Sequence, residues 1–286
     1  MSHQTAAVAD RPAVATAAEI DRFWQDGAIC LRGVFSLDWI ELLREATDAA
    51  IASPGPLSID ASAARDKRFY IELGLWSRMP SVRRFIYESP AAQVARTLLR
   101  THKLNLFFDQ LFVKEPGAVA PTPWHQDQPY WPIAGRQVLS LWIPMDPVTL
   151  STGGLEYVRG SHEWNRRFHP VNFGRSSPQI DAVLSRLDGD DIPDLDAERD
   201  RHQFLSWDMA PGDVLVHQAM TIHGASGNGS LSSRRRAYSI RWSGDDATWD
   251  PRPGILETIP GPSTLPYPTL AGGPMDSEAF PVVPQT

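Results

Sequence analysis

The chain of 286 residues contains a single cysteine, Cys30. A lone thiol excludes an internal disulfide and any thiolate-built zinc cluster, and it fits a reducing compartment. Long hydrophobic runs are missing too. Apolar stretches such as 104–108 break within a few residues, far below the ~18 that a membrane span requires. Positive charge is in deficit: 27 Lys and Arg stand against 34 Asp and Glu, a formal net charge of −7. Nucleic acid and anionic membrane both demand a basic footprint, so neither is expected as a partner. The first twenty residues have no basic n-region and no apolar h-region. We therefore expect no secretory signal and a cytoplasmic location. No internal repeat is visible.

Proline and tryptophan, by contrast, are abundant, with 25 and 10 residues. Proline at about 9% against ~5% on average argues against a helix bundle. A hydrophobic content of 42% is enough to drive collapse, which excludes disorder as the dominant state. The length admits two domains, but all-β domains of ~200–250 residues commonly run as one.

The period of the apolar pattern changes along the chain. Residues 1–17 read as a flexible arm. Ile20, Phe23 and Trp24 predict a helix over 18–25 ended by Gly27, followed by an alternating strand over 28–34. Ser36 is placed to cap a helix over 37–51. Residues 57–80 read as irregular and 81–102 as one helix. From Leu104 onward the period becomes two, in short runs separated by Gly, Pro, Ser and Asp clusters, as in a β-sandwich or barrel. Residues 172–203 form an acidic insertion, either a solvated excursion or a substrate lid. Residues 251–286 carry nine of the prolines and are expected to wrap the surface in extended form. The organisation expected is therefore an arm (1–17), one domain (18–250, with the 172–203 lid-like insertion) and a Pro-rich tail (251–286).

The segment Trp124-His125-Gln126-Asp127 carries the strongest chemical signal. On a strand, His125 and Asp127 project to one face. A metal site then needs a third ligand from elsewhere. His223, in Thr221-Ile222-His223-Gly224, follows a predicted strand and precedes a Gly/Ser-rich turn. Two imidazoles and one carboxylate leave open positions on the ion, as in the facial triad of non-haem Fe(II) oxygenases. Arg234, Arg235 and Arg236 follow His223 by 11 to 13 residues, and a guanidinium is suited to holding a carboxylate bidentately.

These pieces occur together in a known order. WHQDQPYW (124–131), LSLWIPMD (139–146), GGLEYVRGSH (153–162), PGDVLVHQAMTIHGASGN (211–228) and RRAYSIRW (235–242) resemble the phytanoyl-CoA dioxygenase family of Fe(II)/2-oxoglutarate oxygenases, as does FWQDGAICLRGVFS (23–36). The resemblance implies a mainly β fold with flanking helices, a double-stranded β-helix or jelly-roll. It implies His125, Asp127 and His223 as iron ligands, with 2-oxoglutarate and O2 as co-substrates. His217 is the rival to His223, but the following glycine and the arginine spacing match the family at His223. For the co-substrate carboxylate, Arg234 suits the family spacing from His223. Arg235 shares the inward face with Ala237, Ser239 and Arg241, and because packing sets strand register we favour Arg235. Gln110 and Trp142 match positions beside the co-substrate, and Gln126 is a further candidate. Where the family often has Ser two residues after the distal histidine, this chain has Ala225, then Ser226.

The activity implied is oxidation of a small-molecule metabolite with release of succinate and CO2. Related halogenases replace the carboxylate ligand with a small residue, so Asp127 points to hydroxylation. Desaturation, epimerisation, epoxidation and cyclisation use the same centre. The acidic 172–203 segment suits a neutral or cationic substrate without a CoA handle. Trp124, Tyr130 and Trp131 read as pocket wall or as core. Arg241 reads as a salt-bridge partner or a contact for a substrate carboxylate. Two other classes compete: a catalytically inactive jelly-roll binding protein, and a zinc hydrolase using the same three ligands. The latter lacks an adjacent Glu base of the HExxH kind. Monomer and homodimer are both open.

Overall fold

The structure is a computed structural model, and it describes residues 14–62, 67–171, 182, 184, 186–253, 255 and 265–285. The N-terminal part runs α1 (Ala17–Asp26), β1 (Ala28–Leu31), α2 (Leu37–Ala52), β2 (Ser58–Asp60), β3 (Phe69–Leu73), α3 (Leu75–Arg78), α4 (Pro80–Glu88) and α5 (Ala91–Leu99). The barrel strands follow: β4 (Asn105–Lys114), β5 (Thr122–His125), β6 (Ile133–Ala134), β7 (Val138–Pro144), β8 (Leu155–Val158) and β9 (Phe204–Ser206). The last are β10 (Val214–Gln218), β11 (His223–Ala225), β12 (Arg235–Ser243) and β13 (Thr248–Trp249). No helix among the described residues is long and apolar enough to cross a membrane.

Two antiparallel sheets face each other. The larger has strand order β1-β10-β7-β12-β4-β3-β2 and the smaller β5-β11-β8-β9. This is a double-stranded β-helix, with the helices against the outer face of the larger sheet. Strand alternation builds both faces at once. Tyr238, Ile240 and Trp242 of β12 join Leu141, Ile143, Leu111 and Val113 in a core with Ile40, Leu43, Phe85 and Leu98 of the helices. The intervening residues Arg235, Ala237, Ser239 and Arg241 face the other sheet, paired with Trp142 and Ser140 of β7 and Gln110 and Phe108 of β4.

Local chemistry sets the first elements. Thr16 and Glu19 form a capping box: Thr16 Oγ1 accepts from the Glu19 N–H at 3.2 Å and Glu19 Oε2 accepts from the Thr16 N–H at 2.8 Å. Gly27 ends α1 in the left-handed region at φ 82°, which turns the chain directly into β1.

Two expectations are corrected. Residues 57–80 are not irregular: they hold β2, β3 and α3. Every residue of β3 is buried, so it has no alternation to read. Its Glu72 is held inside by Arg78 Nη2 at 2.5 Å and the Gly55 N–H at 2.9 Å. Residues 81–102 form two helices, not one. Pro90 has no N–H to give and pushes Ser89 out of the helical region, to φ −81°, ψ 171°.

Candidate metal centre

His125 ends β5 and His223 begins β11, and the two are register partners. Their ring centres lie 4.1 Å apart. Each ring is fixed in the same manner. His125 Nδ1 donates to the Pro123 carbonyl at 2.9 Å, and His223 Nδ1 donates to the Thr221 carbonyl at 2.9 Å. With Nδ1 carrying the proton, both rings present an Nε2 lone pair suited to a metal.

Asp127 is not on the strand, which corrects the expectation that His125 and Asp127 share a strand face. β5 stops at His125, and Asp127 stands in the helical region (φ −73°, ψ −48°) at the start of a 3-10 turn over Gln128–Tyr130. The Ala219 carbonyl accepts from the N–H groups of both Asp127 and Gln128 at 2.9 Å, which holds the turn against the chain between β10 and β11. The result is still convergence. Asp127 Oδ1 lies 3.5 Å from His125 Nε2 and 3.9 Å from His223 Nε2. The donor atoms of the three buried residues all fall within 4.8 Å of one another.

The second oxygen of Asp127 is held by the protein. Ser140 Oγ donates to Oδ2 at 2.8 Å and His217 Nε2 donates to it at 3.2 Å. The Tyr157 hydroxyl donates in turn to His217 Nδ1 at 3.2 Å. This assigns the Tyr157–His217–Asp127 chain a support role. His217 turns its ring to Asp127 Oδ2, while His223 turns Nε2 to Oδ1. Strand register builds this network: His217, Ser140 and Arg241 occupy inward positions of neighbouring paired strands.

Electrostatics prepare the donors. Burial alone raises the Asp127 carboxyl, but its neighbours His125, His217, His223 and Arg241 together outweigh it and hold it well below the usual range. Burial, then His125 and His217, push His223 far down. Both are therefore deprotonated at neutral pH, as metal ligation requires.

The two arginines differ in position. Arg234 faces outward and bonds Glu115, with Nη2 to Oε1 at 2.8 Å, and its Nη1 reaches Asp48 at 3.4 Å. Arg235 is buried on the inner face, its Nε has no hydrogen-bond partner, and its guanidinium carbon lies 5.6 Å from the Trp142 ring centre. Burial pushes this guanidinium down to about 10, against the opposing pull of Asp146. Gly153 keeps the space beside it open: a Cβ there would come 3.4 Å from Arg235 Nε.

Gln110 and Trp142 both occupy inward positions, each paired with Ser239. Gln126 does not. Its Nε2 donates to the carbonyls of Arg166 and Met220, each at 3.0 Å, and its Oε1 accepts from the Phe168 N–H at 3.0 Å. The whole amide braces backbone, so the expectation that Gln126 assists the co-substrate is overturned. Ser226 does not replace the missing Ser at 225, because its hydroxyl donates to the Leu150 carbonyl. Trp124 also turns outward, bonding Asp196 Oδ1 at 3.2 Å and packing on Phe204. Trp131 packs inside against Phe107 and Phe108. Most of the first half of the acidic insertion lies outside the described residues. Its described part is tied to the body by Arg166–Asp190 at 2.9 Å and by Arg199 to Glu156.

Sequence and structure comparisons show what the chain is similar to. Residues 23–237 match the family model for phytanoyl-CoA dioxygenase (PhyH). A 1-deoxypentalenic acid 11-beta-hydroxylase of Streptomyces arenae is 23% identical over 283 residues, covering 86% of this chain and 92% of its own. An ectoine dioxygenase of Sphingopyxis alaskensis is 24% identical over 229 residues, covering 76% and 72%. Among solved structures, the non-haem alpha-ketoglutarate-dependent carbocyclase SnoK from nogalamycin biosynthesis superposes with a TM-score of 0.71 at 22% identity, covering 94% of this chain and 97% of its own.

Proposed function

The chain belongs to the phytanoyl-CoA dioxygenase family and is an Fe(II)/2-oxoglutarate-dependent oxidoreductase, and we propose that His125, Asp127 and His223 hold its iron while Arg235 holds the far carboxylate of 2-oxoglutarate. The observation that carries this reading is the buried cluster of two Nε2 atoms and one carboxylate oxygen. Nitrogen and oxygen donors of this kind suit Fe(II), and three of them leave positions for a chelating keto acid and O2. The orphaned Nε of buried Arg235 fits the group too, since a buried cation without an anion is unfavourable.

Iron with 2-oxoglutarate supplies oxygen activation: one O2 is consumed, one atom going to succinate with loss of CO2 and the other to the substrate C–H bond. The chain supplies geometry. Thr221 and Pro123 orient the imidazoles. Ser140 and His217 fix the carboxylate through Oδ2, so that Oδ1 would be left to hold the ion. Trp142 covers the Arg235 guanidinium and excludes water from the carboxylate it would bind.

Hydroxylation is the outcome an intact carboxylate ligand supports. A substrate without a CoA handle is supported by the pairing of Arg166, Arg199 and Arg32 with Asp190, Glu156 and Asp213, since a polyanionic handle needs unpaired cations. We read residues 18–250 as one catalytic domain, because both sheets contribute to one interior. The test is anaerobic loading with Fe(II) and 2-oxoglutarate, admission of O2, and measurement of succinate. Succinate is expected from the wild type and not from Asp127→Ala. Turnover supported by Zn(II) without 2-oxoglutarate would instead favour the hydrolase.

A further inference from the structure

Strand β12 turns two buried guanidinium groups onto its inner face, and the reading above employs only Arg235. The other, Arg241, is 5% exposed, and its Nε and Nη1 have no hydrogen-bond partner. Its guanidinium carbon lies 4.8 Å from the centre of the Phe108 ring and 5.7 Å from that of Phe112. Those rings occupy inward positions on either side of Gln110, so the cation leans along the barrel interior. Arg241 pairs in register with Ser140, whose hydroxyl holds Asp127. It therefore stands beside the metal group. Arg235 lies six residues away, about 20 Å along the strand at the usual rise.

Neither carboxylate near Arg241 bonds its guanidinium, although Asp109 Oδ1 is itself buried without a hydrogen-bond partner. Asp127 gives Oδ2 to Ser140 and His217 and turns Oδ1 to the two histidines. Asp109 pairs with Ile240 and faces the helices, where its Oδ2 accepts from the Tyr238 hydroxyl at 2.6 Å and the Trp76 N–H at 3.1 Å. Burial raises the Asp109 carboxyl to about 6, unlike a carboxylate locked to a guanidinium. The formal charges give the same answer. A divalent iron and Arg235 are offset by Asp127 and the dianionic co-substrate, and the remaining neighbour, Asp109, is bonded to Tyr238 and Trp76 on the helix-facing side of the sheet, so no anion is in contact with Arg241. A buried, uncompensated cation is strongly unfavourable.

We propose that Arg241 is a substrate-binding residue that receives a carboxylate of the substrate, whose remaining surface is apolar. Phe108, Phe112 and Trp131 supply the apolar surroundings. This rests on the proposed iron and 2-oxoglutarate site and narrows its substrate class to hydrophobic carboxylic acids. It replaces the neutral or cationic substrate expected from the acidic insertion. A guanidinium beside the reaction centre acts at contact, whereas surface carboxylates are screened beyond about 10 Å.

The test uses Co(II)-loaded protein saturated with 2-oxoglutarate under argon. A series of mono- to polycyclic carboxylic acids, each matched with its primary amide, is titrated and followed by tryptophan fluorescence and by thermal shift. Acids are expected to bind on the order of tenfold or more tightly than their amides. Arg241→Met is expected to abolish that preference and Arg241→Lys to restore part of it, with metal content and 2-oxoglutarate affinity unchanged in Arg241→Lys, which keeps the charge. Equal binding of acids and amides to the wild type overturns the proposal, and this arm needs no variant to fold. Loss of 2-oxoglutarate or metal binding in Arg241→Lys also overturns it, because Arg241 would then serve the co-substrate or the ligand set. Failure of the wild type to bind 2-oxoglutarate at all is a different result, and it counts against the iron and co-substrate site itself.

Discussion

Asp127 divides its two oxygens between the ion site and the protein, and the consequences of substitution divide likewise. Asp127→Ala and His223→Ala each remove a proposed ligand and are expected to abolish iron retention through gel filtration. His217→Ala leaves all three ligands but frees Asp127 to rotate. Supporting partners of this kind contribute about 10–100-fold in metal affinity, so iron is expected to bind, more weakly, by chelator competition. Tyr157→Phe removes only the hydroxyl that orients His217 and is expected to have a smaller effect in the same assay. The proposed ligand residues are legible in the sequence because HxD, the later HG and the following arginines are local patterns. The support is not, since Ser140 and Tyr157 acquire meaning only through register across three strands. Gln126 departs from the expectation for a related reason. Adjacency to two ligands in sequence says nothing about direction, and the turn after His125 sends its amide into backbone.

At the scale of elements, β12 shows why register decides function. Its pairing with β4 and β7 puts Arg235 inside and Arg234 outside. Loop length before the strand is free by comparison. Inserting one glycine after the exposed Leu231 is expected to change 2-oxoglutarate affinity by less than about threefold, as loop-closure entropy varies slowly with length. Inserting one between Arg235 and Ala237 moves the guanidinium to the other face and is expected to abolish binding. Calorimetric titration of both variants checks this. β4 carries a pH effect. Burial raises Asp109 from 3.8 to about 6. An acid raised in the folded state holds its proton more tightly there than in the unfolded chain, so its ionisation removes stability as pH rises from about 4 to about 6. Asp109→Asn keeps an acceptor for Tyr238 and Trp76 and cannot ionise. Its unfolding temperature relative to the wild type is expected to rise across that window. The helices were readable from amphipathic spacing, whereas β3 was not, because burial on both faces erases alternation.

For the whole molecule, the described part of the proline-rich C-terminal segment, 265–285, packs into the barrel. Phe280, Met275 and Val283 are buried. The Leu106 N–H donates to the Pro281 carbonyl at 3.0 Å, and the Val283 N–H donates to the Leu104 carbonyl at 2.8 Å. Removing residues 265–286 exposes the aromatic cluster of Phe107, Trp131 and Trp249. A lowered unfolding temperature and increased dye binding to apolar surface are expected in a thermal melt. The central claim is that one buried His-Asp-His group and one buried arginine together hold iron and 2-oxoglutarate. Its most direct measurement is the visible charge-transfer absorption of the anaerobic Fe(II) protein titrated with 2-oxoglutarate. The account predicts a saturable band in the wild type, none in Asp127→Ala, and a band requiring at least tenfold more co-substrate in Arg235→Gln. A wild type that retains iron yet shows no band, or an Arg235→Gln variant that saturates like the wild type, would contradict it.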